Sequence, residues 1–203
     1  MFDILIVGGG VSGVSCAMIL GSAQNKHFVK GKRIGILTHQ KISSLQEAVF
    51  YNAYGVPAGK LGADLLIESL DQLKNTYEHI VQIPDEKVFK IQSVDGGFEV
   101  MTNKSVFHSK IVVIGVGASN LFDIQGLNEY VEPHQKSLPE KKRIQLKNID
   151  YKVKDGVYVC GTLSGHRSQL AIAAGSGAAV ATEILVLWNQ GVETHSHDGV
   201  KKK

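Results

Sequence analysis

The hexapeptide Gly8-Gly9-Gly10-Val11-Ser12-Gly13 stands between the apolar run Ile4-Leu5-Ile6-Val7 and a proline-free, largely apolar stretch from Val11 to about Ser22. A G-x-G-x-x-G pattern is weak alone, but at a strand-to-helix junction it leaves few folds open. The unbroken aliphatic run reads as a strand buried on both faces, the habit of parallel sheets. After the loop, Val14, Cys16, Ala17, Met18, Ile19 and Leu20 read as a helix that stops near Gly21. Each glycine has a geometric reason to be there. Gly8 makes the tight turn, Gly10 lets a pyrophosphate reach the backbone, and Gly13 lets the helix pack on the strand. The amides of the helix start, at Val11 and Ser12, then face the anion, with a dipole contribution of roughly 0.3–1 kcal/mol. A glycine-rich turn without a ligand is the plainer alternative.

The same rhythm continues along the chain. Arg33 to Thr38 is a second short apolar run, so the first 38 residues read β-α-β. Leu65, Leu66, Leu70 and Leu73 recur at helical spacing and predict an amphipathic helix over Gly62 to Tyr77. Lys87 to Ile91, Gly97 to Thr102 and Ser105 to Ser109 alternate and are separated by turn residues, which predicts an antiparallel meander of three strands. Ile111 to Ile114 returns as a buried strand ending in Gly115-Val116-Gly117-Ala118. Glu132 to Lys154 is polar, basic and weakly patterned, and reads as a surface connection of low regularity with little functional signal. Gly156 to Gly161 is another strand-to-glycine junction, followed by a small-residue helix from about Ser168 to Trp188. One domain over 1–190 and a flexible tail over 191–203 are expected.

Composition narrows the functional classes. At 203 residues with 43% hydrophobic and 20% charged content, the chain is near the upper size of one domain. The net charge of +3 includes Lys201, Lys202 and Lys203, so no nucleic-acid partner is implied. Cys16 and Cys160 make neither a disulfide framework nor a C-x-x-C pair, and no metal site is read. The N-terminus has no basic region ahead of its apolar run, and Thr182 and Glu183 interrupt the apolar stretch from Ala178 to Trp188. The expectation is therefore a cytoplasmic protein without a membrane segment.

Four separated segments share one resemblance. They are Ile6 to Gly13; Tyr51-Asn52-Ala53-Tyr54-Gly55-Val56-Pro57 with the helix after it; Ile111 to Ala118 with Gly126 beyond; and Gly156 to Gly161 followed by Arg167, Gln169 and Ala173-Ala174-Gly175. In order and spacing the chain resembles the FAD domain of thioredoxin reductase-like flavoproteins, in the pyridine nucleotide-disulfide oxidoreductase superfamily. The resemblance implies an α/β fold, a Rossmann-like FAD/NAD(P)-binding three-layer architecture with a parallel sheet and an antiparallel three-stranded meander. It also implies FAD as cofactor, with Asn52, Gly117, Gly161, Thr162, Arg167, Gln169, Leu170 and Ala171 as neighbours beside the Gly8, Gly10 and Gly13 loop.

The departures from that family are informative. Where the family has a carboxylate for the adenosine ribose, at the end of the second strand, this chain has Thr38 and then His39. Where the second motif ends in aspartate, it has Thr162. Exchanging charged for neutral hydrogen bonds at both places weakens FAD binding by roughly ten- to a thousandfold. The NADPH domain and its redox cysteine pair are replaced by the short connection from Gln125 to Lys154, so this chain by itself is not a thioredoxin reductase. Cys160 and Cys16 read as core packing.

Three functions follow as alternatives. The first is a small single-domain FAD-dependent oxidoreductase whose electron donor and acceptor are unspecified, with His166 and Arg167 as cations near the flavin or as a solvated pair. The second is a degenerate, non-catalytic nucleotide-binding or interaction module. The third is a single-site NAD(P) binder in which His39 and Lys41 meet a 2′-phosphate, unless both are merely exposed polar residues. His195, Ser196 and His197 read as surface tail. Leu185-Val186-Leu187 and Trp188 read as core or as a homodimer contact.

Overall fold

The computed structural model describes residues 1–39 and 45–198. Its elements in chain order are β1 (Phe2–Val7), α1 (Val11–Ser22), β2 (Ile34–Leu37), β3 (Val49–Phe50), β4 (Lys60–Leu61), α2 (Gly62–Thr76) and β5 (Val81–Ile83). There follow β6 (Val88–Val94), β7 (Gly97–Thr102), β8 (Val106–Ile114), β9 (Val131–Pro133), β10 (Ile144–Leu146), β11 (Lys152–Lys154), β12 (Val157–Val159) and α3 (Leu170–Trp188).

The main sheet runs β11-β12-β8-β1-β2-β5, with β6 and β7 added as a meander on β8. Its centre is parallel: Ile4 pairs with Ile34 on one side and Ile111 on the other, and Tyr158 pairs with Val113. Because strand side chains alternate, each central strand feeds two cores. Ile4, Ile6, Ile36, Ile111, Val113 and Cys160 face α1 and α3, while Leu5, Val7, Val112, Ile114 and Val159 face the meander with Phe98 and Val100. That is why these strands read as continuous apolar runs, and it produces the three layers expected of the α/β class.

Four features differ from the sequence expectation. The third meander strand and the buried strand are one nine-residue element, β8, whose first half pairs antiparallel with β7 and whose second half joins the parallel sheet. Alternation gives way to full burial along it because its surroundings change, not because the strand ends. The edge strand β5 and the β3–β4 hairpin carry no signal in the sequence, being only three and two residues per strand. The connection from Glu132 to Lys154 is ordered: β9 pairs with β10, and β11 pairs antiparallel with β12. Finally, the apolar stretch is longer than Ala178 to Trp188: α3 as a whole, Leu170–Trp188, has 19 residues and is long and apolar enough by length and composition to cross a membrane. Its buried stripe, Ser176, Gly177, Val180, Ala181, Ile184 and Leu185, instead lies against α1 and the sheet. An added Cβ on Gly177 would stand 2.0 Å from the Ser12 carbonyl oxygen, a packing distance that only a glycine permits.

Beyond α3 the chain returns along the helical layer, where Ser22 Oγ lies 2.9 Å from Ser196 Oγ and Tyr77 donates to Asp198 at 2.6 Å.

Candidate functional site

Parallel strands end together, and their ends make the site. The Gly8 amide donates to Leu37 O at 3.0 Å, the Gly115 amide to Val7 O at 2.8 Å, the Cys160 amide to Ile114 O at 3.0 Å, and the Thr38 amide to Ile83 O at 2.9 Å. These bonds align the residues after β1, β2, β8 and β12 along one carboxyl edge. From β1 the chain moves outward to β2 and β5, then returns to the opposite side with β8 and β12. The switch point thus falls between β1 and β8, where open α/β sheets leave a crevice for ligands.

Gly8 and Gly115 flank that crevice. Gly8 sits at φ +119°, and a Cβ there would meet Gly115 O at 2.6 Å. Gly13 is tighter still: its Cβ would meet Gly8 O at 1.9 Å, so the first turn of α1 lies directly on the loop. Among the described residues no side chain caps α1, and its first turn has no acidic residue. The first-turn amide groups are therefore suited to an anion, with no carboxylate of that turn opposing it.

The structure brings Thr38 to this edge, where its backbone lies over Gly9, but its hydroxyl is only 3.5 Å from Ile83 O. Gly161 and Thr162 follow β12; Gly161 approaches Ser12 Oγ and donates its amide to Ser176 Oγ at 2.8 Å. His39 is partly buried, Gly117 is exposed with open space at its Cβ position, and Lys41 lies outside the described residues. Asn52 is exposed on the β3–β4 hairpin. Arg167, Gln169 and Ala171 are exposed and Leu170 partly buried around the start of α3. Among the described residues no hydrogen bond joins Asn52, Arg167 or the Gln169 side chain to the glycine loop, so the core of the site is Gly8 to Gly13, Thr38, Gly115, Gly161 and Thr162.

Both cysteines belong to the core between the sheet and the helices and are fully buried. Burial pushes the Cys160 thiol up to about 12, against a smaller opposing effect of its bond to Ser12, and pushes Cys16 well above the ordinary thiol value. Both remain protonated at neutral pH and serve as packing atoms rather than nucleophiles.

The ordered connection supplies residues that no sequence motif marks. His134, 7% exposed, has Nε2 3.1 Å from Thr162 O and 3.2 Å from His166 O. Asn148 Nδ2 donates to Leu146 O at 2.7 Å and to Ser164 O at 3.3 Å. Gln145 donates to Glu132 at 2.8 Å and accepts the Gln135 amide at 3.1 Å. A cavity of about 340 Å³ opens beside them, lined by Glu132, Lys136, Gln145, Lys147 and Ser164. A histidine in a basic stretch is the one signal the sequence offers here, and periodicity does not register it.

His166 is positioned by Tyr151, whose hydroxyl lies 3.2 Å from its Nε2. Burial first, and then the nearby Lys136 charge, hold His166 below the ordinary value of 6.5. It is therefore mainly neutral at pH 7, and the permanent positive charge of the pair belongs to Arg167. In a pH titration followed by NMR, the His166 ring should show a midpoint below 6.5. Because the folded value is depressed, the unfolded chain takes up the proton first. Stability at this group is therefore complete above 6.5 and is lost as the pH falls from 6.5 through the lower folded value. A midpoint above 6.5 would contradict this placement.

Comparison with known proteins agrees with the architecture. Residues 2–181 match the family model of the pyridine nucleotide-disulphide oxidoreductases. The chain is 28% identical over 180 residues to ferredoxin–NADP reductase 2 of Listeria welshimeri, an alignment covering 89% of this chain and 49% of that protein. It is 24% identical over 186 residues to the ferredoxin–NADP reductase of Geobacillus kaustophilus, covering 92% and 50%. The chain thus spans about half the length of the curated relatives it matches. Among solved structures, a thioredoxin reductase from Gloeobacter violaceus superposes with a TM-score of 0.72 at 15% identity over 98% of both chains. A ferredoxin-flavin thioredoxin reductase from Clostridium acetobutylicum superposes with a TM-score of 0.68 at 15% identity, covering 93% and 98%. With a parallel sheet, a glycine loop at its switch point and a family match over most of its length, the chain belongs to the pyridine nucleotide-disulphide oxidoreductase family.

Proposed function

We propose that this protein is a small FAD-dependent oxidoreductase. The observation that carries the reading is the uncapped, acid-free N-terminus of α1 held by Gly8 and Gly13 at the switch point of the sheet. The fit to FAD is good at the pyrophosphate, where the Val11 and Ser12 amides and the small Gly10 would hold the anion. It is weaker at the two sugar-like segments, where Thr38 and Thr162 offer neutral hydroxyls. When bound, FAD would supply the electron-transfer chemistry of its isoalloxazine, which no side chain here provides. Arg167 would favour negative charge near the second junction, Gly161 would allow close approach of the backbone, and Cys160 would wall the site without reacting.

The connection between β8 and β12 carries no second nucleotide-binding domain, so the reductant would be met outside this connection. The relatives' names make NADP(H) and ferredoxin the first to try. The second reading, a non-catalytic nucleotide-binding module, is favoured by the Thr38 hydroxyl, which lies toward Ile83 O rather than being free for a ribose. A third, an NAD(P)-only site at His39 and Lys41, predicts that His39→Ala abolishes a preference for NADP over NAD.

The visible spectrum of the freshly purified protein, followed by calorimetric titration of FAD, tests the first reading against the others. Flavin bands or saturable FAD uptake are expected. Gly10→Val should abolish that uptake without backbone strain, since Gly10 has φ −78° and ψ −179°, an extended conformation that valine adopts readily. A colourless protein with no heat on FAD addition would overturn the reading, and a Gly10→Val variant that binds as well as wild type would place the site elsewhere.

A further inference from the structure

We propose that His134 is the positioning residue of the second glycine junction, holding the turn from Gly161 to His166 in the conformation that faces the crevice. The inference rests on the FAD reading, and extends it to a residue outside every glycine motif. The Lys136 amide donates to His134 Nδ1 at 3.1 Å, so that nitrogen is the acceptor and the ring proton sits on Nε2. Nε2–H then points at two carbonyl oxygens, Thr162 O at 3.1 Å and His166 O at 3.2 Å. One neutral tautomer thereby ties three backbone groups together in a ring that is 7% exposed.

The surroundings are built to keep it there. Thr162 O also accepts the Gly165 amide at 3.0 Å, which closes the turn. Gly165, at φ +89°, rests against the Gln145 side chain, and Asn148 bonds Ser164 O at 3.3 Å. On the opposite side, the Ile144 amide donates to Ala118 O at 3.2 Å. The β9–β10 hairpin therefore reaches from the residues after β8 to the turn after β12, spanning two of the strand ends that form the crevice. With threonine instead of a charged anchor at position 162, a ligand has little leverage to order this turn, and preorganisation falls to the scaffold behind it.

Four proteins test this: wild type, His134→Ala, His134→Asn and His134→Gln. Glutamine keeps a donor near the Nε2 position, whereas asparagine keeps only an acceptor near Nδ1. Calorimetric titration with FAD, the visible spectrum of the bound flavin, and amide exchange without FAD at Gly165, Leu5 and Val113 are the readouts. We expect His134→Ala and His134→Asn to weaken FAD binding by about tenfold and His134→Gln by less than about threefold. The visible bands should shift in the first two variants, and Gly165 exchange should quicken while Leu5 and Val113 keep wild-type rates. A His134→Ala protein with wild-type affinity, spectrum and Gly165 exchange would overturn the proposal. So would faster exchange at all three sites in every variant, glutamine included, because that marks a residue serving global stability alone. If wild type takes up no FAD, the cofactor reading fails separately; Gly165 exchange that quickens in His134→Ala and recovers in His134→Gln would still support the positioning role, and its failure to do so would end it.

Discussion

Gly13→Ala should lower the melting temperature of the protein by roughly 6–12 °C, the consequence of about 3 kcal/mol of overpacking at roughly 2–4 °C per kcal/mol for a chain of this size. The added methyl would stand 1.9 Å from Gly8 O, and backbone cannot rotate out of the way as a side chain does. Gly8 is itself held by its amide bond to Leu37 O at 3.0 Å. Nor can α1 withdraw, since α3 presses on its far side with Gly177 against the Ser12 carbonyl. Thermal unfolding followed by circular dichroism measures the effect, with Gly117→Ala as the control because open space surrounds its Cβ position. A Gly13→Ala protein that melts with wild type would show that α1 does not pack on the loop as described.

Restoring carboxylates at both neutral anchors is the second large effect, in the opposite direction. The double change Thr38→Glu with Thr162→Asp should tighten FAD binding by roughly ten- to a thousandfold, because a charged hydrogen bond contributes about 1–2 kcal/mol more than a neutral one at each place. Thr162→Asp should carry the larger share. At position 38 the present hydroxyl lies 3.5 Å from Ile83 O, where a carboxylate meets another acceptor and must turn away. Calorimetry on the two single variants and the double variant separates the contributions. Unchanged affinity in all three would mean that these positions do not face the ribose and ribityl groups.

The legible parts of the molecule share a physical basis. β1, α1, β2, α2 and α3 announce themselves because burial on two faces, or on one helical stripe, leaves a local pattern bounded by glycine or polar residues. The glycine loop is legible for the same reason: its backbone geometry and close approach demand glycine at particular spacings. What escapes is short or conditional on neighbours. β5 has three residues at a sheet edge, too few for a period to show. β8 changes partners halfway along, and its sequence changes rhythm there as two strands would. The connection after β8 is polar because it lies over the strand ends, yet its polar side chains are spent on backbone groups of the adjacent turn.

Residues 1–38, read alone, are enough to establish a strand, a glycine turn and a helix suited to a dinucleotide, since every interaction involved is local or follows from the absence of a Cβ. Only the tertiary structure decided which groups meet at the far side of the crevice. His134 reaches Thr162 and His166 across sequence separations of 28 and 32 residues, and hydrogen bonds of that range leave no spacing rule in the chain. They exist because β8 and β12 end side by side, which is a property of strand order rather than of any segment by itself.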